Sequence, residues 1–469
     1  MNIPPDKLEI CLNVLQEISD NPAIMNEHHR FKSLIAKIYK EGRKNLRQTQ
    51  QQQRRIEDSQ LKALTVIVQY QHQQKPFALL PESTTNSQDL HKPISCYICK
   101  TPYTQIHFFY HSLCPNCAAF NYQKRQQSTN LTGRIALVTG GRIKIGYQMV
   151  LRLLRDGARV ILTSRFPYNS AYRYNQEPDF DEWHNRLQIH GLDLRNIPAV
   201  ERFVQDLLHT ESGLDIIINN AAQTIKRPLA FYQHLLAGED EAGQILSEKA
   251  QRLILSNGNL SNKKLSQDRA ILLEHQPIYQ DHLPEAISNY FPAHHLDGDG
   301  QQLDLRPINS WLLKLDEVNT MELLEVQLVN AIAPFIINSK LKPLLMRSSF
   351  KRRFIINVSA MEGQFNRDSK TPYHPHTNMA KAALNMMTRT SAADYANDNI
   401  FMNSVDTGWI TNENPYPKKM RVEREQKFYT PLDVIDGMAR IYDPIVQGIE
   451  NHDTPIYGHF LKDYAPYPW

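Results

Sequence analysis

A rhythm that begins near Leu131 constrains this chain more than any other feature. Short apolar runs, IALV at 135–138, VILT at 160–163, DIII at 215–218 and FIINV at 354–358, alternate with longer amphipathic stretches. Each run is apolar almost throughout instead of alternating with polar residues, as expected of a strand covered on both faces. Such strands separated by helices build a parallel sheet, so the predicted fold class is α/β and doubly wound.

The first run leads into LVTGGRIKIG, 137–146. A turn between strand and helix needs glycine for its tight bend and for close approach of a pyrophosphate to the helix N-terminus. Further phrases follow in order: LDL at 192–194, NNAA at 219–222, LVNAIAPF around Asn330, and VDTGWIT at 405–411. Together they make residues 131 to about 463 resemble the short-chain dehydrogenase/reductase family, which implies a Rossmann-type sheet and a nicotinamide dinucleotide. Carried over position by position, the resemblance places Thr139, Gly140, Gly141, Arg142, Lys144, Ile145 and Gly146 around the phosphates. It places Ser164, Arg165, Asp193, Leu194, Asn220 and Ala221 at the adenosine side, and Lys381, Thr407, Gly408, Ile410 and Thr411 near the nicotinamide. Lys144 stands where the family has its second glycine, which restricts the backbone; its ammonium either reaches a phosphate or faces solvent. Arg165 stands where a member selecting NAD(H) carries an acid. Arg142 adds a second positive charge, and the expected cofactor is NADP(H).

The family's catalytic set is asparagine, serine, tyrosine and lysine. Asn330 and Lys381 fill two positions, but Ala360 aligns with the serine and Thr377 with the tyrosine. Ser359 is one residue off, and neighbours on a strand face opposite ways unless a bulge intervenes. The Thr377 hydroxyl can bind a substrate oxygen but lacks a phenol's acidity. Tyr373, His374 and His376 stand just upstream, on a loop before a helix expected to begin near Pro375, and Tyr373 or a histidine is the candidate proton donor. Glu362, beside Met361, is a weaker one. The reading is NADP(H)-dependent hydride transfer to or from a carbonyl, alcohol or activated double bond of a small molecule. Its alternative is an NADP(H)-binding scaffold or sensor that recruits partners through the N-terminal modules.

Ahead of this domain, CYIC and CPNC are separated by fourteen residues, so Cys96, Cys99, Cys114 and Cys117 have the spacing of a four-thiolate structural Zn²⁺ site. His107 and His111 between them are read as structural. The zinc-ribbon-like module spans 94–125, preceded by a linker at 81–93 and a helical region at 1–80. There Leu8, Cys11, Leu12, Leu15 and Ile18, then Phe31, Leu34, Ile35 and Ile38, form stripes expected to pack, with Cys11 a small core residue. QTQQQQRRIEDSQ reads either as a solvated helix or as a flexible linker. The main domain, 131–469, carries a polar insertion at about 228–312, read as a cap or partly disordered, and His294, His295, Asp297 and Asp299 within it read as solvated. Residues 1–130 hold 16 Lys and Arg against 10 Asp and Glu in a chain of net charge +4, a surplus read as a helical surface and not as a nucleic-acid site. No run of eighteen apolar residues and no apolar leader occur, so neither a membrane span nor secretion is expected, and the expected location is cytoplasmic. The zinc and helical modules either engage a protein partner or brace the first domain, and the resemblance implies a habit of forming homo-oligomers.

Overall fold

The computed structural model describes residues 4–26, 28–73, 89–255, 289–367 and 370–469. Helices α1 (Pro5–Asp20), α2 (His29–Ala63) and α3 (Val66–Gln73) open the chain. The glutamine-rich stretch lies inside α2, as its strong helix formers favour, and Gln53 caps the run with an i,i+4 bond of 2.8 Å to Glu57. One expectation is corrected here. Neither α1 nor α2 buries any side chain; Leu8, Leu12, Leu15, Leu34 and Ile38 are exposed, and so is Cys11. The stripes are real, and the turn Pro22–Asn26 touches both helices, but of the stripe residues only Ile18, Phe31 and Ile35 reach half-burial.

Strands β1 (Asp89–Ser95) and β2 (Pro102–Gln105) form an antiparallel hairpin followed by α4 (Pro115–Arg125). Asp89 to Pro93, expected as the end of a linker, are therefore strand. They are held to α2 through the amide of His91, which donates to Asp58 at 2.8 Å, and its ring, 2.6 Å from Glu57. Residues 81–88 of that expected linker lie outside the described residues.

The main sheet takes β3 (Ile135–Thr139), β4 (Arg159–Ser164), β5 (Leu187–Gly191), β6 (Ile216–Asn219), β7 (Ile254–Leu255), β8 (Arg353–Ser359), β9 (Ile400–Asp406), β10 (Phe460–Lys462) and β11 (Ala465–Tyr467). Their order is β11-β10-β9-β8-β6-β3-β4-β5-β7, parallel throughout except for the last hairpin, β10–β11. Helices α5 (Lys144–Arg155), α6 (Pro167–Asn175), α7 (Ile197–Thr210), α8 (Leu229–Ile245), α9 (Thr320–Gln327), α10 (Ala333–Lys340), α11 (Pro375–Asn397) and α12 (Val434–Glu450) accompany it. Two apolar layers result. Ala136, Val138, Val160 and Leu162 pack with α5, α6 and α12, whereas Leu137, Ile161, Ile217 and Ile355 pack with α7, α10 and α11. Successive residues of one strand thus feed opposite layers, which is why the runs are apolar without alternation.

The insertion is partly built into this frame. α8 packs on α6, and β7 pairs with β5 through Ile189 and Ile254, lengthening the sheet at its edge. Residues 256–288 of it lie outside the described residues. Thr320–Lys340 is long and apolar enough by length and composition to cross a bilayer. A π-helical turn at Leu328–Ile332 interrupts it, and it buries Val326, Asn330, Ala333 and Ile337 in the domain. The strand order reverses between β3 and β6, and a crevice opens at the carboxyl ends of the strands there.

Candidate active site

The crevice is a cleft of about 1240 Å³ that runs over the ends of β3 to β6, β8 and β9. Its floor is the turn after β3. Gly140 holds φ +72°, and a Cβ there would lie 2.9 Å from Ala221 Cα. A Cβ on Gly146 would lie 2.3 Å from the Gly140 carbonyl oxygen, so the first turn of α5 is drawn hard against the loop. Asn220 Nδ2 fixes that loop by donating to the carbonyls of Thr139 (3.1 Å) and Gly140 (2.9 Å). Thr139 itself is behind the wall, where its hydroxyl accepts from the Ala221 amide at 3.1 Å. Gly141 is also off the wall, its carbonyl taking the Tyr174 hydroxyl at 2.6 Å. Lys144 has φ +56°, the conformation a glycine would take freely; the residue lines the cleft, and its ammonium is 3.9 Å from Asp299.

At the β4–β5 end the cleft is lined by Arg142, Ser164, Arg165, Asp193 and Leu194. Arg142 donates to Asn169 (3.1 Å) and to Gln301 (2.7 Å) on the return leg of the insertion. Burial and the like charges of Arg173 and Arg165 bring its pKa down to about 9. Arg165 donates to the Tyr232 hydroxyl at 3.0 Å and stacks over that ring at 4.7 Å. Asp193 is paired in bidentate fashion with Arg195, whose Nη2 donates to Oδ2 at 2.7 Å and whose Nε donates to Oδ1 at 3.1 Å; burial pushes its carboxyl up, but Arg195 and Arg165 outweigh this and hold it below the usual range. Asp297 and Asp299 lie off the cleft: Asp297 accepts from the amides of Asp299 and Gln301, and the Asp299 carbonyl takes Arg173. The acids and histidines of residues 294–299 assemble no metal cluster among the described residues.

The other end is formed by β8, β9 and α11. Lys381 is buried on the wall and donates to the Val358 carbonyl at 2.8 Å; burial brings its ammonium down to about 8, against the opposing pull of Glu362. Thr377, one turn earlier, is buried on the same wall, and its hydroxyl has no partner. Ser359 borders the cleft but spends its hydroxyl on Asn385 Oδ1 at 2.6 Å, beside Ala360. Thr407, Gly408, Ile410 and Thr411 line the cleft after β9.

Four of the candidate catalytic residues are elsewhere. Asn330 sits in the π-helical turn, where both ends of its amide are taken by the Gln223 backbone at 2.7 and 3.0 Å. Tyr373 and His374, expected over the pocket, do not line it. His374 has φ +44° as the residue before α11, which lays its ring on Trp311 at 3.8 Å and its Nδ1 3.0 Å from the Trp311 carbonyl. It is an anchor for the loop, and burial lowers its pKa. His376 is buried 3.3 Å from Glu322. The sequence reading missed Asp406, which lines the cleft at the end of β9 beside Ser359; burial pushes its carboxyl up to about 6. Its signal was an acid immediately before the TG phrase. It also missed Tyr97, discussed below.

A buried polar network ties this end together. Asn219 donates to Asn338 and Asn357, both at 2.8 Å; Asn357 donates to Thr388 on α11 at 2.8 Å, and Ser404 on β9 reaches the same hydroxyl at 2.8 Å.

The four paired cysteines converge, their sulfurs all within 4.8 Å of one another. Cys99 and Cys114 sulfurs are 3.6 Å apart, too long for a disulfide and close to the edge of about 3.8 Å that Zn–S bonds of about 2.3 Å give a tetrahedron. The Cys114 amide points at Cys96 Sγ at 3.3 Å. His107 is instead in an aromatic cluster with Phe108, Tyr110 and Tyr122.

Sheet, switch-point cleft and glycine turn define a doubly wound α/β protein of the dinucleotide-binding type. A short chain dehydrogenase model matches residues 134–235, and an enoyl-(acyl carrier protein) reductase model matches residues 313–432. An uncharacterised protein of Acanthamoeba polyphaga mimivirus is 34% identical over 362 residues, 75% of this chain and 71% of the relative. Human dehydrogenase/reductase SDR family member 13 is 38% identical over 95 residues, 20% of this chain, which spans 24% of that protein. The solved NADPH-bound carbonyl reductase from chicken fatty liver is 16% identical with a TM-score of 0.44, covering 72% of this chain and 100% of that one. The chain belongs to the short-chain dehydrogenase/reductase family of oxidoreductases.

Proposed function

We propose that the protein is an NADP(H)-dependent oxidoreductase acting on a carbonyl, alcohol or activated double bond of a small molecule. The observation that carries this is the arginine group at the end of β4. Arg142 and Arg165 line the cleft there and Arg173 stands behind them; burial first, and then the repulsion of Arg173 and Arg165, draws Arg142 down to about 9. A 2′-phosphate relieves that repulsion, whereas a ribose diol does not. The cradle fits a dinucleotide: glycines 140 and 146 leave no room for a Cβ, and the N-terminus of α5 faces the cleft. When bound, the nicotinamide supplies the hydride. Lys381 supplies or takes the proton from the wall, with a pKa near 8 that suits both directions, and the unpartnered Thr377 hydroxyl donates to the substrate oxygen. Cys96, Cys99, Cys114 and Cys117 hold a structural Zn²⁺.

Fluorescence titration with NADPH and NADH tests the cofactor assignment. Wild type is expected to favour NADPH, and Arg165→Ala to weaken NADPH by roughly tenfold or more while leaving NADH within about twofold. Equal affinity for the two cofactors in wild type sinks the assignment. NADPH consumption against a panel of aldehydes, ketones and enones then decides between enzyme and scaffold: binding without turnover on any of them favours the scaffold.

A further inference from the structure

The cysteine module is not set apart from the cleft. Tyr97 and Ile98, between the first pair of cysteines, and Lys100, just after it, line the cleft together with Gly408, Trp409 and Lys462. This is the β9–β10 end, remote in the sheet order from Arg165 on β4. The Tyr97 hydroxyl accepts the Trp409 amide at 3.0 Å, and a Cβ on Gly408, which holds φ +80°, would lie 3.7 Å from it. The Tyr97 ring is itself held between two ammoniums, Lys100 at 5.3 Å and Lys462 at 6.0 Å, and its amide donates to the Ser112 carbonyl at 2.8 Å inside the module. So the turn that follows β9 rests on a side chain whose backbone is fixed by Cys96 and Cys99 on either side.

We propose that the first cysteine knuckle is a wall of the substrate end of the cleft: Tyr97 is a positioning residue that fixes the Gly408–Trp409 turn, and the metal held by the four cysteines sets where Tyr97 stands. The geometry is asymmetric in a useful way. Arg142, Arg165 and Gly146 share no hydrogen bond with any residue of the knuckle, so loss of Tyr97 acts on the nicotinamide and substrate end and spares the adenosine and phosphate end, where most of the cofactor's affinity is expected. Assigning the β9 end to substrate rests on the oxidoreductase reading; the link from metal to Trp409 does not.

The test uses the full chain, with zinc measured by atomic absorption. Trp409 emission is read as the difference between the protein and its Trp409→Phe variant. Tyr97→Phe keeps the ring and removes the acceptor. It is expected to retain its zinc, to bind NADPH within about twofold of wild type, to shift Trp409 emission, and to raise substrate KM about threefold to tenfold with a smaller change in kcat. Removing zinc with a chelator is expected to produce the same Trp409 shift, reversed when zinc returns. Unchanged Trp409 emission in both Tyr97→Phe and zinc-free protein overturns the inference, whether or not a substrate has been found. A Trp409 response with no NADPH binding at all overturns the oxidoreductase reading instead, and leaves the metal-coupled turn standing.

Discussion

Lys144 occupies a left-handed backbone position, φ +56°, that costs a side-chain-bearing residue about 1 kcal/mol relative to glycine. That strain persists at the glycine turn on the floor of the cleft, which Lys144 lines, with its ammonium 3.9 Å from Asp299. Lys144→Gly is therefore expected to be neutral or to stabilise by up to about 1 kcal/mol in urea unfolding, while weakening NADPH about threefold to tenfold in fluorescence titration. Stabilisation with undiminished affinity would leave the lysine without a role at the phosphates. Lys381 makes the second residue-scale prediction. With Lys381 as the proposed proton donor, reduction would need its protonated form, so the rate should fall as pH rises through about 8, and alcohol oxidation should rise through the same value. Its lowered pKa means that between about 8 and the ordinary 10.5 the unfolded chain holds the proton that the folded one has released. Stability from this group consequently rises with pH across that window, and Lys381→Met should abolish both the rate inflection and that slope.

At the scale of elements, Asn357 is the joint between β6, β8 and α11. It accepts from Asn219 and Asn338 and donates to Thr388, all in the interior. Asn357→Ala removes three buried hydrogen bonds at once, although Asn219 keeps Asn338 and Thr388 keeps Ser404 and Leu384, so a loss of about 3 kcal/mol is expected in urea unfolding, more than an isolated surface hydrogen bond gives. Because α11 carries Lys381, the same variant should lower kcat before it lowers cofactor affinity. Much of this level was legible in the chain. The runs at 135–138, 160–163, 215–218 and 354–358 are strands because each residue of them meets one of two layers, and a pattern that local is readable. Periodicity says which face could pack, but not that a partner exists; hence Leu8, Leu12 and Leu34 misled. Spacing placed Lys381 and Thr377 on the cleft, because both ride one helix. His374 was misplaced because a single positive φ turned it onto Trp311, and no residue type signals that turn. Tyr97 was illegible for a different reason, since its setting is made by residues far away in the chain, whereas Asp406 offered only its place before the TG phrase.

Those long-range contacts decide how the whole molecule behaves. Arg125, at the end of α4, is buried and donates to Asp433 at 2.6 and 2.9 Å, with Asp436 3.0 Å away. Tyr110 donates to Asp436 at 2.5 Å, Arg440 on α12 donates to Asn121 at 2.8 Å, and Ile67, Phe109, Leu113, Tyr429 and Leu432 share one apolar cluster. The cysteine module therefore shares a core with the segment leading into α12 and a desolvated ion cluster with α12 itself, and neither side is complete alone. Arg125→Met removes the cation and leaves two buried carboxylates facing each other, which costs about 3 to 5 kcal/mol. Adding Asp433→Asn and Asp436→Asn to it removes the stranded charge and should recover a large part of that loss, an outcome a plain packing defect would not give. Zinc makes the same point from the other side. Binding that closes a four-cysteine site stabilises whatever folds with it. If the module were an appendage, chelation would unfold it and leave the sheet's transition untouched. Because α4 and α12 are locked together, chelation should instead lower the thermal midpoint of the whole domain, seen in near-ultraviolet circular dichroism as one transition moving down. Two separated transitions, with the upper one unmoved by chelator, would show that the shared core carries no such coupling.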